Sequence, residues 1–146
     1  MRTIKFRGLT KSNNVMVFGD LINTPENTKR IIWFERKDEF DYKSFNEVVQ
    51  STTVGQFTGL IDKNGKEIYE GDILKMYRHS DETHRHEVGK IWKGDSYQED
   101  IREVKFESGT FYTYGICDIK ISFMHMARPG ESFEVIGNIH ENLELL

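Results

Sequence analysis

The chain has a single cysteine, Cys117. No internal disulfide can form, which fits a reducing cytosol. Gly115, Ile116 and Ile119 surround that thiol with apolar or small residues, so a core or strand cysteine is expected rather than a nucleophile. No apolar run reaches roughly 18 residues, so no membrane-spanning helix is expected. The first residues alternate charged and apolar side chains without a hydrophobic stretch. No signal peptide is expected, and the protein should remain in the cytoplasm where it is made. Positive charge is not in excess either: 20 Lys and Arg stand against 24 Asp and Glu, a net charge of −4. Wholesale binding of a phosphate backbone is therefore not favoured, although a local patch from Arg2, Lys5, Arg7, Lys90 and Lys93 stays open. There is no Gly-rich phosphate loop, GxSxG elbow, HExxH helix, CxxC pair, internal repeat or low-complexity tract. No cofactor is implied.

What is present is aromatic and charged. The 146 residues make one ordinary domain or two very small ones, enough for a real core. Charged residues are 30%, and ten Phe with six Tyr help bring the aromatics to 12%. That composition favours strands and argues against disorder.

The best-specified local structure lies in residues 56–77, QFTGLIDKNGKEIYEGDILKMY. Asp62-Lys63-Asn64-Gly65 is a tight turn: Asp62 can bond the backbone two residues on, Asn64 tolerates the following geometry, and Gly65 supplies positive φ. Phe57, Leu60 and Ile61 before it, with Ile68 and Tyr69 after, make it a hairpin or a strand-to-strand corner. Glu70-Gly71-Asp72 is a second corner, with Gly71 permitting a left-handed backbone and Asp72 capping the turn. The rival reading is chemical, because Asp62, Glu67, Glu70 and Asp72 place four carboxylates within eleven positions, as general acid/base sites and divalent metals require. Turn chemistry already explains the two aspartates. Glu67 and Glu70 read as solvated positions beside a corner.

Elsewhere the chain reads as short strands. Residues 2–9 alternate, with Ile4, Phe6 and Gly8 facing one way and Lys5 and Arg7 the other; residues 15–18 return as the second strand of a hairpin. Residues 22–53 are the least legible, with a loop at Asn23 to Asn27 and a short apolar strand over Ile31, Ile32, Trp33 and Phe34. In residues 42–50, Tyr42, Phe45, Val48 and Val49 fit one helical face, which favours a short helix or an irregular segment over a strand. Residues 102–114 read as a second hairpin, turning at Glu107-Ser108-Gly109. At the end, Asn142 is expected to cap a helical turn, and Leu143, Leu145 and Leu146 to dock on the protein or on a neighbouring subunit.

Two groups have metal-ligand chemistry. His84 and His86 share a face of an extended segment, with His79 or Glu87 as a third ligand. The spacing matches no zinc motif, and a polar hairpin tip is the plainer reading. Met124-His125-Met126 suggests soft-metal ligation, but strand alternation separates His125 from both methionines, so packing explains it better.

The run QFTGLIDKNGKEIYEGDIL resembles the signature of the YopX family of phage and prophage proteins. The opening MRTIKFR and the closing VIGNIHENLELL are similar to that family's first strand and last segment. The resemblance implies a mostly β protein whose C-terminal part is an SH3-like barrel, and no established activity. Two departures stand out. Relatives carry Trp-Asp or Trp-Asn after the opening Phe-Arg where this chain has Gly8-Leu9-Thr10, and Pro where it has Leu143. A role resting on that Trp does not carry over.

The expected fold is mainly β, with an N-terminal β segment carrying a variable insertion over residues 1–56 and a small SH3-like barrel over residues 57–146. The expected function is a non-enzymatic binding module, phage- or prophage-encoded, acting on an unknown protein or on itself. The alternatives are a metal-dependent enzyme built on residues 79–87 and a nucleic-acid-binding barrel. Asp62, Asn64, Gly65, Gly71 and Asp72 are assigned to architecture, with no catalytic or cofactor-binding residue.

Overall fold

The computed structural model describes residues 3–39, 41–79, 97–114, 120–122 and 131–146. The chain divides into two compact units, Met1–Leu60 with Glu67–Glu70, and Ile61–Lys66 with Gly71–Leu146. Both are built from antiparallel strands, and among the described residues the only helical pieces are two three-residue turns.

The first unit holds β1 (Phe6–Leu9), β2 (Met16–Asn23), β3 (Lys29–Arg36), β4 (Tyr42–Val48), β5 (Gly55–Ile61) and β6 (Glu67–Tyr69). They form one sheet in the order β4-β3-β2-β1-β5-β6. Alternation along β2 decides its faces. Val17 and Leu21 turn inward, where Val17 joins Ile31 and Val49 in a core lined by Phe6, Leu21, Trp33 and Val54. Phe18, Asp20 and Ile22 turn outward and are exposed or nearly so. The sheet also curls. An isolated bridge, Thr10 with Val49, ties the end of β1 to the end of β4 although three ladders separate those strands.

β4 corrects the short helix or irregular segment expected over residues 42–50. Its residues do have helical spacing, but β3 offers an unbroken ladder from Arg30↔Val48 to Arg36↔Tyr42. Phe45 gains a stacked partner there, its ring 5.0 Å from that of Trp33 and within 7° of parallel. A non-local ladder outweighs a weak local periodicity, and the aromatic and β-branched content already suited a strand.

The second unit contains β7 (Asp72–His79), β8 (Tyr97–Glu103), β9 (Lys105–Glu107), β10 (Thr110–Tyr114), β11 (Lys120–Ser122) and β12 (Glu131–Asn138). They form two three-stranded sheets, β12-β7-β8 and β11-β10-β9, and neither closes on itself among the described residues. β7 is the central strand of its sheet, and consecutive Ile73 and Leu74 are both fully buried, so both of its faces are covered at that level. Residues 102–107 are not one strand. Arg102 and Glu103 pair with β7, β9 pairs with β10, and between them Val104 exchanges hydrogen bonds with the Gly71 N–H and the Asp72 C=O, both 2.8 Å. The β9–β10 turn has Ser108 and Gly109 both at positive φ, +54° and +78°, the geometry of a two-residue hairpin that follows strand twist.

β12 carries a bulge between Val135 and Gly137, and the corner follows at Asn138. The Asn138 Oδ1 accepts the N–H groups of His140 and Glu141 at 3.0 and 3.1 Å, organising the last turn. Asn142 does not cap the final Leu143–Leu145 turn as expected. Its Oδ1 accepts the Asn138 N–H instead, at 3.3 Å. Leu143 and Leu146 are exposed and dock on none of the described residues. No described helix is long and apolar enough to cross a membrane.

Candidate functional site

The acidic run around the two glycine corners was the one place where chemistry and architecture competed. Asp62 sits at the mouth of its turn and is 5% exposed. Its Oδ1 accepts the N–H groups of Asn64 and Lys66, both at 2.8 Å, and its Oδ2 accepts the Val135 N–H at 3.0 Å. The turn backbone closes underneath, with the Asp62 N–H on the Lys66 carbonyl and the Gly65 N–H on the Asp62 carbonyl. Gly65 has φ of +82°. Burial alone would raise the Asp62 pKa. The donors from Val135, Lys66 and Asn64, with the Lys66 charge, outweigh it and hold the carboxyl below its ordinary value. A carboxylate so engaged joins the turn to β12. It is poorly placed to take a proton from a substrate or to bind a metal.

The second corner has Gly71 at φ +79°. Its N–H donates to the Val104 carbonyl at 2.8 Å, and its own carbonyl accepts the Ile139 N–H at 2.9 Å. One residue therefore connects the β8–β9 break with the segment after β12. Asp72 beside it is buried, with Asn138 as its ladder partner.

Glu67 is a correction. It is not simply solvated. Its Oε2 accepts both the Lys5 ammonium and the Tyr69 hydroxyl, each at 2.6 Å. Burial pushes its pKa up, but those two donors and the Lys5 charge bring it below the ordinary range. Arg7 is the second correction. Assigned by alternation to the polar face of β1, it is 5% exposed. Its Nη2 donates to the Glu70 carbonyl at 3.0 Å, and the guanidinium lies 5.2 Å from the Tyr69 ring centre. Tyr69 in turn packs on Phe18 and Phe57. A buried cation on a strand resembles a solvent-facing one in sequence. The available signal was the density of aromatics able to stack on it.

Other candidates divide in the same way. Two members of the basic patch, Lys5 and Arg7, are committed to Glu67 and to the Glu70–Tyr69 corner. Lys90 and Lys93 lie outside the described residues, as do Cys117, Met124, His125, Met126, His84, His86 and the side chain of His79. Among the described residues no group of three or more His, Cys, Asp and Glu is placed to hold a metal ion. The Tyr112 phenol, beside Tyr114 and Glu107, is pushed up to about 12 by burial, by the hydrogen bond with Tyr114 and by the Glu107 charge. It stays protonated at neutral pH.

One surface emerges that alternation in the sequence did not reveal. On the side of β2–β4 opposite the core stand Phe18, Ile22, Ile32, Phe34 and Tyr42, interleaved with the ladder partners Asp20, Arg30, Asn46, Ser44 and Arg36. Phe34 is 63% and Tyr42 58% exposed. Arg7 and Tyr69 lie at the β1 end of this face, and Phe34 and Tyr42 at its other end are exposed.

The family model described as YopX protein matches residues 5–146. No curated protein matches the chain significantly. Among solved structures, the crystal structure of protein EF1440 from Enterococcus faecalis is similar, with a TM-score of 0.57 at 24% identity, covering 100% of this chain and 99% of that one. That likeness is one of fold.

Proposed function

We propose, from the premise that this chain belongs to the YopX family, that it is a non-enzymatic binding module that recognises a protein partner through the outer face of β2–β4. The observation that carries this reading is the set of large apolar side chains on that face: Phe18, Ile22, Phe34 and Tyr42 are all exposed on one side of a sheet whose other side forms the core. An antiparallel sheet with one solvated face ordinarily turns polar residues outward. Several large apolar side chains exposed on one sheet face, rimmed by polar residues, support an interaction surface. The acidic residues that would argue for catalysis are turned to other uses, Asp62 to backbone donors and Glu67 to Lys5 and Tyr69. A protein partner also fits better than nucleic acid, given the net charge of −4 and the commitment of Lys5 and Arg7. The second unit we read as an SH3-like barrel, and the protein as phage- or prophage-encoded and acting in the host cytoplasm; the family's resemblance supports both.

The test compares tagged wild-type chain with the Phe34→Ser, Tyr42→Ser double variant. Both side chains are largely outside the core, so the variant should keep its strand spectrum. A partner retained by wild type and lost by the variant supports the reading. Identical retention, or turnover of a substrate by the purified chain, overturns it.

A further inference from the structure

The sheet of the first unit has two edges of unequal quality. On one side β6 is only three residues long. On the other, β4 runs seven residues, contains no proline and carries a single lysine, Lys43. Long unprotected edges are templates for adding a strand. The backbone direction along β4 can be worked out. The Val49 N–H donates to the Lys29 carbonyl at 3.0 Å, so Lys43, Phe45 and Glu47 also turn their backbone groups toward β3. Tyr42, Ser44, Asn46 and Val48 turn theirs to the open side. There the Val48 carbonyl takes the Lys11 N–H at 2.9 Å, which closes the edge beyond Glu47. Among the described residues the free edge is therefore 42–47.

We infer that this edge pairs with the same edge of a second copy, antiparallel about a two-fold axis through Phe45. The inference deepens the binding reading above by naming a second copy of the chain as one partner. Its warrant is the self-complementarity of the strand. Reversed on itself about Phe45, Lys43 lies opposite Glu47 of the other copy, twice, and Ser44 lies opposite Asn46, twice. Neighbouring registers do worse. Centred on Ser44, the pairing sets Asp41 against Glu47; centred on Lys43, it sets lysine against lysine. Like charges directly opposite destabilise a ladder and unlike charges stabilise it. In the favoured register the backbone groups of Ser44 and Asn46 face each other across the seam, giving two hydrogen-bonded pairs. Phe45 meets Phe45 in a non-hydrogen-bonded pair, where side chains come closest. Each of those rings already stacks on its own Trp33. The seam would thus hold a row of four aromatic rings on the core side of the sheet, flanked by the two Lys43–Glu47 pairs. Such an interface is isologous and closes at two copies.

The test is sedimentation equilibrium of the full chain up to roughly 0.2 mM, since a dimer must dissociate on dilution. Lys43→Glu alone and Glu47→Lys alone should each weaken the dimer about tenfold, because two attractive pairs become repulsive. The combined Lys43→Glu, Glu47→Lys swap restores opposite charges in this register and should return the dimer to near its original strength. Ser44→Pro removes an outward N–H that β3 does not use, so it should leave the strand spectrum intact and yield monomer. Monomer at every concentration, a swap that fails to rescue, or a dimer indifferent to Ser44→Pro overturns the inference. These outcomes are separate from the fate of the binding reading. A monomer whose partner is lost in the Phe34→Ser, Tyr42→Ser variant sinks the dimer alone.

Discussion

Removing the Asp62 carboxylate is the sharpest test of the claim that the acidic turn is architecture. Asp62→Ala strands three backbone N–H donors, those of Asn64, Lys66 and Val135. Hydrogen bonds to a charged group contribute about 1.5–3 kcal/mol each, and the three are not additive because two serve one turn. The turn donors can also recover some water, so the expected loss is about 3–5 kcal/mol, or a fall in Tm of roughly 10 °C. Asp62→Asn separates the parts. Its remaining oxygen can keep the turn donors, while its amide meets the Val135 N–H donor to donor. Hydrogen exchange should then accelerate at Val135 and stay slow at Asn64 and Lys66. The acid limb gives an independent check. Because the folded-state pKa is depressed, this stabilisation is complete above the ordinary value of 3.8 and is lost as pH falls through the folded value. The gap between wild type and Asp62→Ala, followed by circular dichroism, should be constant near neutrality and close in acid below that value. An Asp62→Ala variant as stable as wild type at pH 7, or a gap that ignores acid, would refute the assignment.

Further outcomes follow from the same geometry. Gly65→Ala and Gly71→Ala should each cost about 1–2 kcal/mol in chemical denaturation, since both residues sit at positive φ; the added methyl meets nothing within 4 Å at Gly65 and only ordinary contact with Ile139 at Gly71. Glu67→Gln should cost well under 1 kcal/mol because Lys5 and Glu67 are both about a third exposed, whereas Tyr69→Phe should release Glu67 and raise its pKa in an NMR titration. Asp100→Ala should destabilise more than Arg102→Met, because the first leaves a buried guanidinium without its carboxylate and the second removes the charge itself. Leu143→Ser with Leu146→Ser should shift stability by less than about 0.5 kcal/mol, as both side chains are exposed.

What could be read from the sequence was mostly local. The mainly β character and the family membership lay in composition and in short ordered segments. The bends at Gly65 and Gly71 depend on neighbours a few residues away, and the same is true of the turn at Ser108 and Gly109. Most of the failures are non-local. β4 became a strand because β3, the preceding strand, supplied a ladder and, from Trp33, a ring for Phe45. The strand read over residues 102–107 breaks at Val104 because Gly71 and Asp72 take its backbone groups. Arg7 is buried because Tyr69 and the Glu70 carbonyl wait for it from the far end of the unit's sequence. Asn142 misses its capping role because Asn138 claims its side chain. In each case alternation or capping preference was sound as a local rule, and a competing partner, distant for all but Asn142, decided the outcome.

The exceptions to simple patterning fall into two sets, and they differ in kind. Buried polar residues form the first. Arg7 has the Glu70 carbonyl and the Tyr69 ring, Asp62 has three backbone donors, and Arg102 has Asp100. Each finds a partner within its own unit, which is why a buried charge is tolerable there, although among the described residues the Arg102 Nη1 has none. Exposed apolar residues on the outer face of β2–β4 form the second set, and no described contact within the chain accounts for Phe34 or Tyr42 standing in solvent. Local rules are broken where something outside the local segment requires it. For the first set that requirement is packing inside the protein. For the second, on the binding reading proposed above, it is a partner that covers this face, and the adjoining β4 edge offers the hydrogen-bonding groups for holding a second copy in register.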